Sequence, residues 1–309
     1  MNDQIAIGVD IGGSHITSAA VNLKTFEIIQ NTYYSVKINN KASKQVVLKD
    51  WSKAINKTIE SASIRTTAEI GFAIPGPFNY KAGVAMFEGD NDKYESLYNV
   101  SIPDELPKFI NREEVNLRFL NDATAFGVGV STQGKAKKCT RVIVLTLGTG
   151  FGSAFINNGV PLVHSPEVPK GGCLWDKPFK SGISDDYFST RWCIDRYYGI
   201  STKRLKGVKE IAEENNDYSR IVFDEFGSNM AEFLIPYLEK FRPEIFVMGG
   251  NISKASDLFL PAFKSELQKA GLKVDFEVST LMEDAAIIGS ARLFEPSFWN
   301  KVKDNLPDL

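Results

Sequence analysis

The chain is predicted to be an α/β protein built as two similar halves, each a mixed sheet flanked by helices. Three observations lead there. An apolar strand runs into a glycine-rich turn and a second leaves it, and this happens twice: Ile5–Ile11, Gly12-Gly13-Ser14, Ile16–Val21, and later Val142–Leu147, Gly148-Thr149-Gly150-Phe151-Gly152-Ser153, Ala154–Asn157. After each hairpin, helical spacing alternates with short apolar runs, the mark of βα units rather than an all-β chain. The length of 309 residues gives two halves of ordinary domain size, each able to bury a core.

The elements follow in order. The first hairpin (5–11, 15–22) is continued by 27–36 as a third meander strand. Val47, Trp51, Ile55, Ile59 and Ala62 recur at helical spacing and predict an amphipathic helix over 46–62. Residues 69–74 form a buried strand, stopped by Pro75-Gly76-Pro77, and 79–99 reads as a long polar and aromatic loop. A short helix over 103–110, a strand at 115–120 ending in Asn121-Asp122 and a helix over 123–131 complete the first half. Beyond the second hairpin, 158–183 is irregular and proline-rich. Helices are predicted over 185–198, 207–215, 218–241 and 255–270, strands at 244–248 and 274–278, and a closing helix over 284–294. The expected division is 1–120, joined by the C-terminal helical segment 284–309, against 121–283 with a mainly helical insertion at 185–242.

Composition narrows the partners. A net charge of −2 with no Lys/Arg stripe argues against nucleic acid. No apolar run approaches the ~18 residues needed to cross a bilayer, and the first residues lack the basic and apolar pattern of a secretory leader. The three cysteines Cys139, Cys173 and Cys193 are odd in number and far apart, which speaks against a disulfide framework. Only His15 and His164 accompany them, so a closed zinc site is not expected. A cytoplasmic protein without membrane or nucleic-acid partners is the economical expectation.

Glycine lets backbone N–H groups turn inward and lets a phosphate approach without meeting a Cβ. One Gly-Gly turn usually joins a hairpin and binds nothing. Two, each on its own strand pair with an acidic residue between, suggest two halves gripping one polyphosphate. The first turn is no Rossmann fingerprint, for no G-x-G-x-x-G opens a helix, and no Walker loop, for no Gly-Lys-Ser/Thr does so. Phosphate contacts then rest on hairpin N–H groups and on Ser14, Thr149 and Ser153, without a P-loop lysine.

Val9-Asp10-Ile11-Gly12-Gly13-Ser14, Asn121-Asp122-Ala123, Leu147-Gly148-Thr149-Gly150-Phe151-Gly152 and Met248-Gly249-Gly250 resemble, in order and spacing, the motifs of the ROK family of repressors and sugar kinases. The resemblance implies a two-domain actin/hexokinase-like (ribonuclease H-like) fold with ATP and sugar in an interdomain cleft. It implies ATP phosphates against Gly12, Gly13 and Ser14 and against Gly148, Thr149 and Gly150. Asp10 would act on the Mg²⁺-nucleotide through water, since Mg²⁺ dehydrates reluctantly. Gly249 and Gly250 would lie under the adenosine. Asp122 matches the catalytic aspartate, Asn121 the adjacent sugar ligand and Asn91 the sugar-contacting loop asparagine. Family resemblance also suggests a homodimer.

One stretch departs from the family. Where Glu-x-Gly-His and a zinc-binding cysteine cluster are usual, this chain reads Glu167-Val168-Pro169-Lys170-Gly171-Gly172-Cys173-Leu174-Trp175. Lys170 and Cys173 replace the glutamate and histidine, the cysteine cluster is absent, and Glu167 is the nearby substitute for the sugar carboxylate. Structural readings stand beside these assignments: Asp122 as a helix N-cap, His15 packing beside its turn, Cys173 buried, and Trp175 and Trp192 as core or interface aromatics.

The resulting expectation is an ATP- and Mg²⁺-dependent phosphotransferase acting on a hexose hydroxyl, with the 6-hydroxyl of glucose first. Asp122 would serve as base in an in-line transfer that asks mainly for positioning and charge neutralisation. An N-acetylhexosamine or other hexose kinase, a non-catalytic sugar- or nucleotide-binding regulator, and an ATPase indifferent to sugar are the alternatives.

Overall fold

The computed structural model describes residues 4–88 and 93–307. In chain order the principal elements are β1 (Ile5–Ile11), β2 (His15–Asn22), β3 (Tyr34–Lys37), α1 (Lys44–Ser61), β4 (Ala68–Ile74), β5 (Val115–Asn121) and α2 (Asp122–Thr132). Then come β6 (Arg141–Leu147), β7 (Phe151–Asn157), α3 (Thr190–Ser201), α4 (Val208–Glu214), α5 (Asp217–Phe241), β8 (Ile245–Gly249), α6 (Ser256–Lys269), β9 (Asp275–Val278), α7 (Glu283–Ala291) and α8 (Pro296–Val302). Contacts divide the chain into two compact units.

The first unit comprises 1–138, 159–163 and 281–309. Its sheet runs β3-β2-β1-β4-β5. β1 and β2 pair antiparallel, with Asp10 opposite Thr17, while β4 lies parallel to β1 and β5 parallel to β4. Helices cover both faces. Gly8 and Gly71 turn one face toward α7, where an added Cβ would meet the Ile287 and Ser290 carbonyl oxygens at 2.0 and 1.9 Å. Ser18, of opposite pleat, meets Thr58 of α1 on the other face, hydroxyl to hydroxyl at 2.7 Å. Side chains alternate across a strand, so one small-residue row admits a helix while Ile7, Val9 and Ile11 fill the core.

The second unit comprises 139–158 and 164–280. Its sheet carries β7-β6-β8-β9 side by side, β6–β7 antiparallel and β6–β8 and β8–β9 parallel. This repeats the strand pattern of the first unit: a hairpin, then parallel strands on its leading member. A phenylalanine cluster of Phe151, Phe179, Phe188, Phe226 and Phe233 packs with centroid separations of 5.1–6.0 Å.

Several expectations are corrected. The third strand is not 27–36 but Tyr34–Lys37. Asn31 takes a left-handed φ of 62°, and the Thr32 hydroxyl accepts the Ala20 N–H, so a side chain satisfies β2 where ladder was expected. The helix placed over 185–198 breaks at Phe188–Ser189 and restarts as α3, and 103–110 forms two single turns, each with proline near its start. The closing helix ends at Ala291, and α8 follows after Glu295, whose carboxylate caps the Ser297 N–H at 3.1 Å. The first unit reaches Lys138 rather than residue 120, because α2 packs on α7, which returns from the C-terminal segment.

Candidate functional site

The first glycine turn is held by its carbonyls. The Gly12 carbonyl accepts the Tyr94 hydroxyl at 2.6 Å, Gly13 accepts the Asn40 amide at 2.8 Å, and Ser14 accepts the Ile38 N–H at 2.9 Å. The Gly12 N–H closes the turn on the His15 carbonyl at 2.9 Å. The N–H groups of Gly13 and Ser14 have no acceptor among the described residues. Carbonyls tied back and amides left over are what an anion-binding turn requires. His15 presents Nδ1 to Ser14 Oγ at 3.2 Å and Nε2 to Glu283 Oε1 at 3.1 Å. With a carboxylate on Nε2, that nitrogen carries a proton.

Asp10 is the last residue but one of β1, beside this turn, and its carboxyl has no hydrogen-bond partner among the described residues. Burial first, then the charges of Asp122 and Glu283, push its pKa up to about 8. Asp122 is the first residue of α2, and Asn121 is the cap: its Oδ1 accepts from the Thr124 N–H at 3.1 Å. That cap and a contact from its Nδ2 to the Tyr80 hydroxyl at 3.3 Å account structurally for Asn121. Burial raises the Asp122 pKa, opposed by the Ala123 N–H at 2.8 Å and by the charge of Lys93. The first unit thus brings Asp10, the 12–14 turn and Asp122 together. Asn91 lies outside the described residues.

The second turn repeats the design. The Gly148 carbonyl takes both the N–H and the hydroxyl of Thr190, at 2.8 and 2.9 Å, and Gly150 accepts from the Gly148 N–H at 3.1 Å. The Thr149 and Gly150 N–H groups have no acceptor among the described residues. The Phe151 N–H is instead spent on Asp185 Oδ1 at 2.7 Å. A Cβ on Gly148 would find open space, so the fold itself does not demand glycine there. Gly250 differs: its φ is +85°, and a Cβ would meet the Leu147 oxygen at 2.3 Å, so the fold explains that glycine, while Gly249 closes β8.

Glu167 is not at the second turn. Its carboxylate pairs with Arg141 at 3.2 Å, at the start of β6, while Gly148 follows the end of that strand. Six residues of strand separate them by roughly 20 Å. A guanidinium thus engages Glu167 away from the phosphate turn. Tyr94, Asn40, Lys93, Glu283 and Thr190 were missed, because each reaches its turn from distant sequence without a local motif. Among the described residues no cluster of three His, Cys, Asp or Glu is arranged to hold a metal, and no helix is long and apolar enough to cross a membrane.

Two mixed sheets flanked by helices, each with a strand–glycine turn–strand start, define the actin/hexokinase-like fold. The chain belongs to the ROK family, whose pattern matches residues 6–165. Glucokinase of Thermotoga maritima is 24% identical, the match spanning 94% of this chain and 96% of that protein. N-acetyl-D-glucosamine kinase of Mannheimia succiniciproducens is 26% identical over 93% of this chain and 98% of its own. The crystal structure of a ROK family glucokinase from Streptomyces griseus, in complex with glucose and AMPPNP, superposes with a TM-score of 0.68 at 19% identity, covering 95% of this chain and all of that one (100%).

Proposed function

We propose that the protein is a sugar kinase that transfers the terminal phosphoryl group of ATP to a hexose hydroxyl, with the 6-hydroxyl of glucose as the preferred acceptor. The observation that carries this reading is the grouping of Asp10 and Asp122 beside a turn whose carbonyls are tied back and whose Gly13 and Ser14 amides have no acceptor among the described residues. A regulator has no need of two buried carboxyls so placed that the charge of Asp122 raises the proton affinity of Asp10, and two such groups call for a cation and a hydroxyl between or beside them.

Asp122 accepts the proton of the attacking hydroxyl, as a base at the start of a helix whose first N–H it already holds. Amides of Gly13 and Ser14, and those of Thr149 and Gly150, are assigned phosphate oxygens of the donor. Mg²⁺ fits the donor set: Asp10 is a carboxyl without a hydrogen-bond partner among the described residues, its proton held first by burial and then by its acidic neighbours, and a divalent cation removes that penalty. When bound, the cation neutralises charge on the phosphates. Glucose is preferred over N-acetylglucosamine on the strength of the Thermotoga maritima relative alone, against the Mannheimia succiniciproducens one.

The test is ADP release by the purified protein, with ATP and Mg²⁺, across a panel of hexoses and N-acetylhexosamines, with Asp122→Ala as control. Sugar-stimulated turnover lost in Asp122→Ala is expected, and the sugar with the highest kcat/KM names the acceptor. Turnover indifferent to sugar, or equal in the variant, defeats the reading.

A further inference from the structure

The Walker-type phosphate loop carries a lysine in the loop itself; this turn, Gly12-Gly13-Ser14-His15, has none. The structure supplies an ammonium from elsewhere. Tyr94 takes a left-handed φ of 56°, donates its N–H to the Asn40 carbonyl at 2.9 Å and its hydroxyl to the Gly12 carbonyl at 2.6 Å. These two bonds pin the end of the 79–99 loop onto the glycine turn. The residue before it is Lys93, and its stem lies over Gly13: a Cβ there would stand 3.3 Å from Lys93 Cε and 3.6 Å from Nζ. Its charge also reaches Asp122, where it opposes the effect of burial. The Lys93 ammonium has no hydrogen bond or ion pair among the described residues. An ordinary surface lysine is likewise unpaired, yet this one is part-buried, and its chain covers the turn instead of reaching into water.

We propose that Lys93 is the cation that binds the phosphoryl group in transfer, between the Gly13–Ser14 amides and Asp122, an assignment that rests on the kinase reading above. In the step itself the acceptor oxygen forms a bond to the terminal phosphorus of ATP and passes its proton to the Asp122 carboxylate. The bond from that phosphorus to the bridging oxygen breaks, and its electron pair leaves with ADP. Charge gathers on the three non-bridging oxygens throughout, and Lys93 Nζ donates to them. Lys93 therefore discriminates a nucleoside triphosphate from a diphosphate, because only the former places oxygens beside Gly13.

The experiment compares wild type, Lys93→Met and Lys93→Arg, with Lys81→Met as the control for loss of an exposed positive charge elsewhere in the unit. Calorimetry with AMPPNP and with ADP in the presence of Mg²⁺ is paired with ADP release in the presence of glucose, and melting temperatures verify folding. Lys93→Met is expected to weaken AMPPNP binding about tenfold or more while ADP binding changes little, as for loss of a hydrogen bond to a charged group. It is expected to lower kcat by about a hundredfold, with the KM for sugar little changed. Lys93→Arg recovers most of the AMPPNP affinity. Equal AMPPNP affinity in wild type and folded Lys93→Met overturns the assignment, whether or not any sugar is phosphorylated. A wild type that binds AMPPNP yet transfers nothing to any sugar overturns the kinase reading alone, and the same affinity comparison still decides Lys93. A wild type that binds no AMPPNP overturns both.

Discussion

The Tyr94 hydroxyl donates to the Gly12 carbonyl across 2.6 Å, joining residues 82 positions apart in sequence. Tyr94 is fully buried, with its ring edge-on to Trp51 at 5.5 Å, so the tie comes from a fixed side chain. It ties that carbonyl back, as an anion-binding turn requires. Tyr94→Phe keeps the packing and removes the tie. It is expected to cost about 1 kcal/mol of stability and to raise the KM for ATP about fivefold, with the KM for sugar unchanged. Steady-state kinetics at varied ATP and sugar check this; equal shifts in both constants count against a role at the phosphate turn.

The Asp10 carboxyl titrates near 8 because of burial and the charges of Asp122 and Glu283. In the unfolded chain it titrates near 3.8. Its folded pKa is raised, so the native state binds more protons between these values, and its contribution to stability is full below about 4 and lost as pH rises through about 8. The ligand-free protein is therefore expected to lose melting temperature from pH 5 to pH 9 more steeply than Asp10→Asn. Glu283→Gln removes one of the charges that hold the proton, so the Asp10 titration moves down in that variant. Thermal melts across pH and carboxyl-carbon NMR read the two effects, and parallel melting curves for wild type and Asp10→Asn would sink this account.

Two glycine turns and the strands that feed them were legible because each is local: strand pattern, Gly-Gly or Gly-Thr-Gly, strand pattern. Asp122 was legible as an acid between the copies, and the structure adds that Asn121, not Asp122, caps the helix. What the sequence hides is what comes from far away. Lys93 and Tyr94 reach the first turn from a loop without periodicity, Glu283 reaches His15 across 268 positions, and Thr190 reaches Gly148 across 42. The short third strand was misread for a related reason: Thr32 has high strand propensity, but its hydroxyl takes over the Ala20 N–H and ends the ladder. Glu167 is expected from its place beside the departed family motif, and its pairing with Arg141, 26 positions away, is not legible there.

Gly148 and Gly250 separate two reasons for glycine. Gly250 is required by its own fold, with a positive φ and the Leu147 backbone in the way, whereas a methyl on Gly148 meets no atom within 4 Å. Gly148→Ala is therefore expected to leave the melting temperature nearly unchanged and to weaken AMPPNP binding about tenfold or more, the added methyl occupying the approach of a phosphate oxygen. Gly250→Ala is expected to lower stability by about 2–3 kcal/mol from strain and overpacking. Calorimetry and chemical denaturation on the two variants check the contrast. An unchanged nucleotide affinity in Gly148→Ala removes the second turn from the donor's phosphates.

Helices α2 and α7 touch backbone to backbone through matched small residues, Ala125 and Gly129 on one, Ala285 and Gly289 on the other. A Cβ on Gly129 would stand 1.9 Å from the Ala285 oxygen, and one on Gly289 would stand 1.9 Å from the Ala125 oxygen. Backbone cannot swing aside as a side chain can, so Gly129→Ala forces the helices apart. The expected cost is about 2–3 kcal/mol, despite alanine's better helix propensity. Gly199, inside α3 with nothing within 4 Å of its would-be Cβ, gives the opposite sign: Gly199→Ala is expected to stabilise by about 0.5–1 kcal/mol. The helix displaced in Gly129→Ala begins at Asp122, and α7 begins at Glu283, the partner of His15. Moving a base by a fraction of an ångström costs more in the transition state than in binding. At temperatures where Gly129→Ala remains folded, its kcat should therefore fall further than its KM for sugar rises, while Gly199→Ala keeps wild-type kinetics. Urea denaturation and steady-state rates measured side by side decide it, and a Gly129→Ala variant with full stability would show that these two helices are not locked by contact of their backbones.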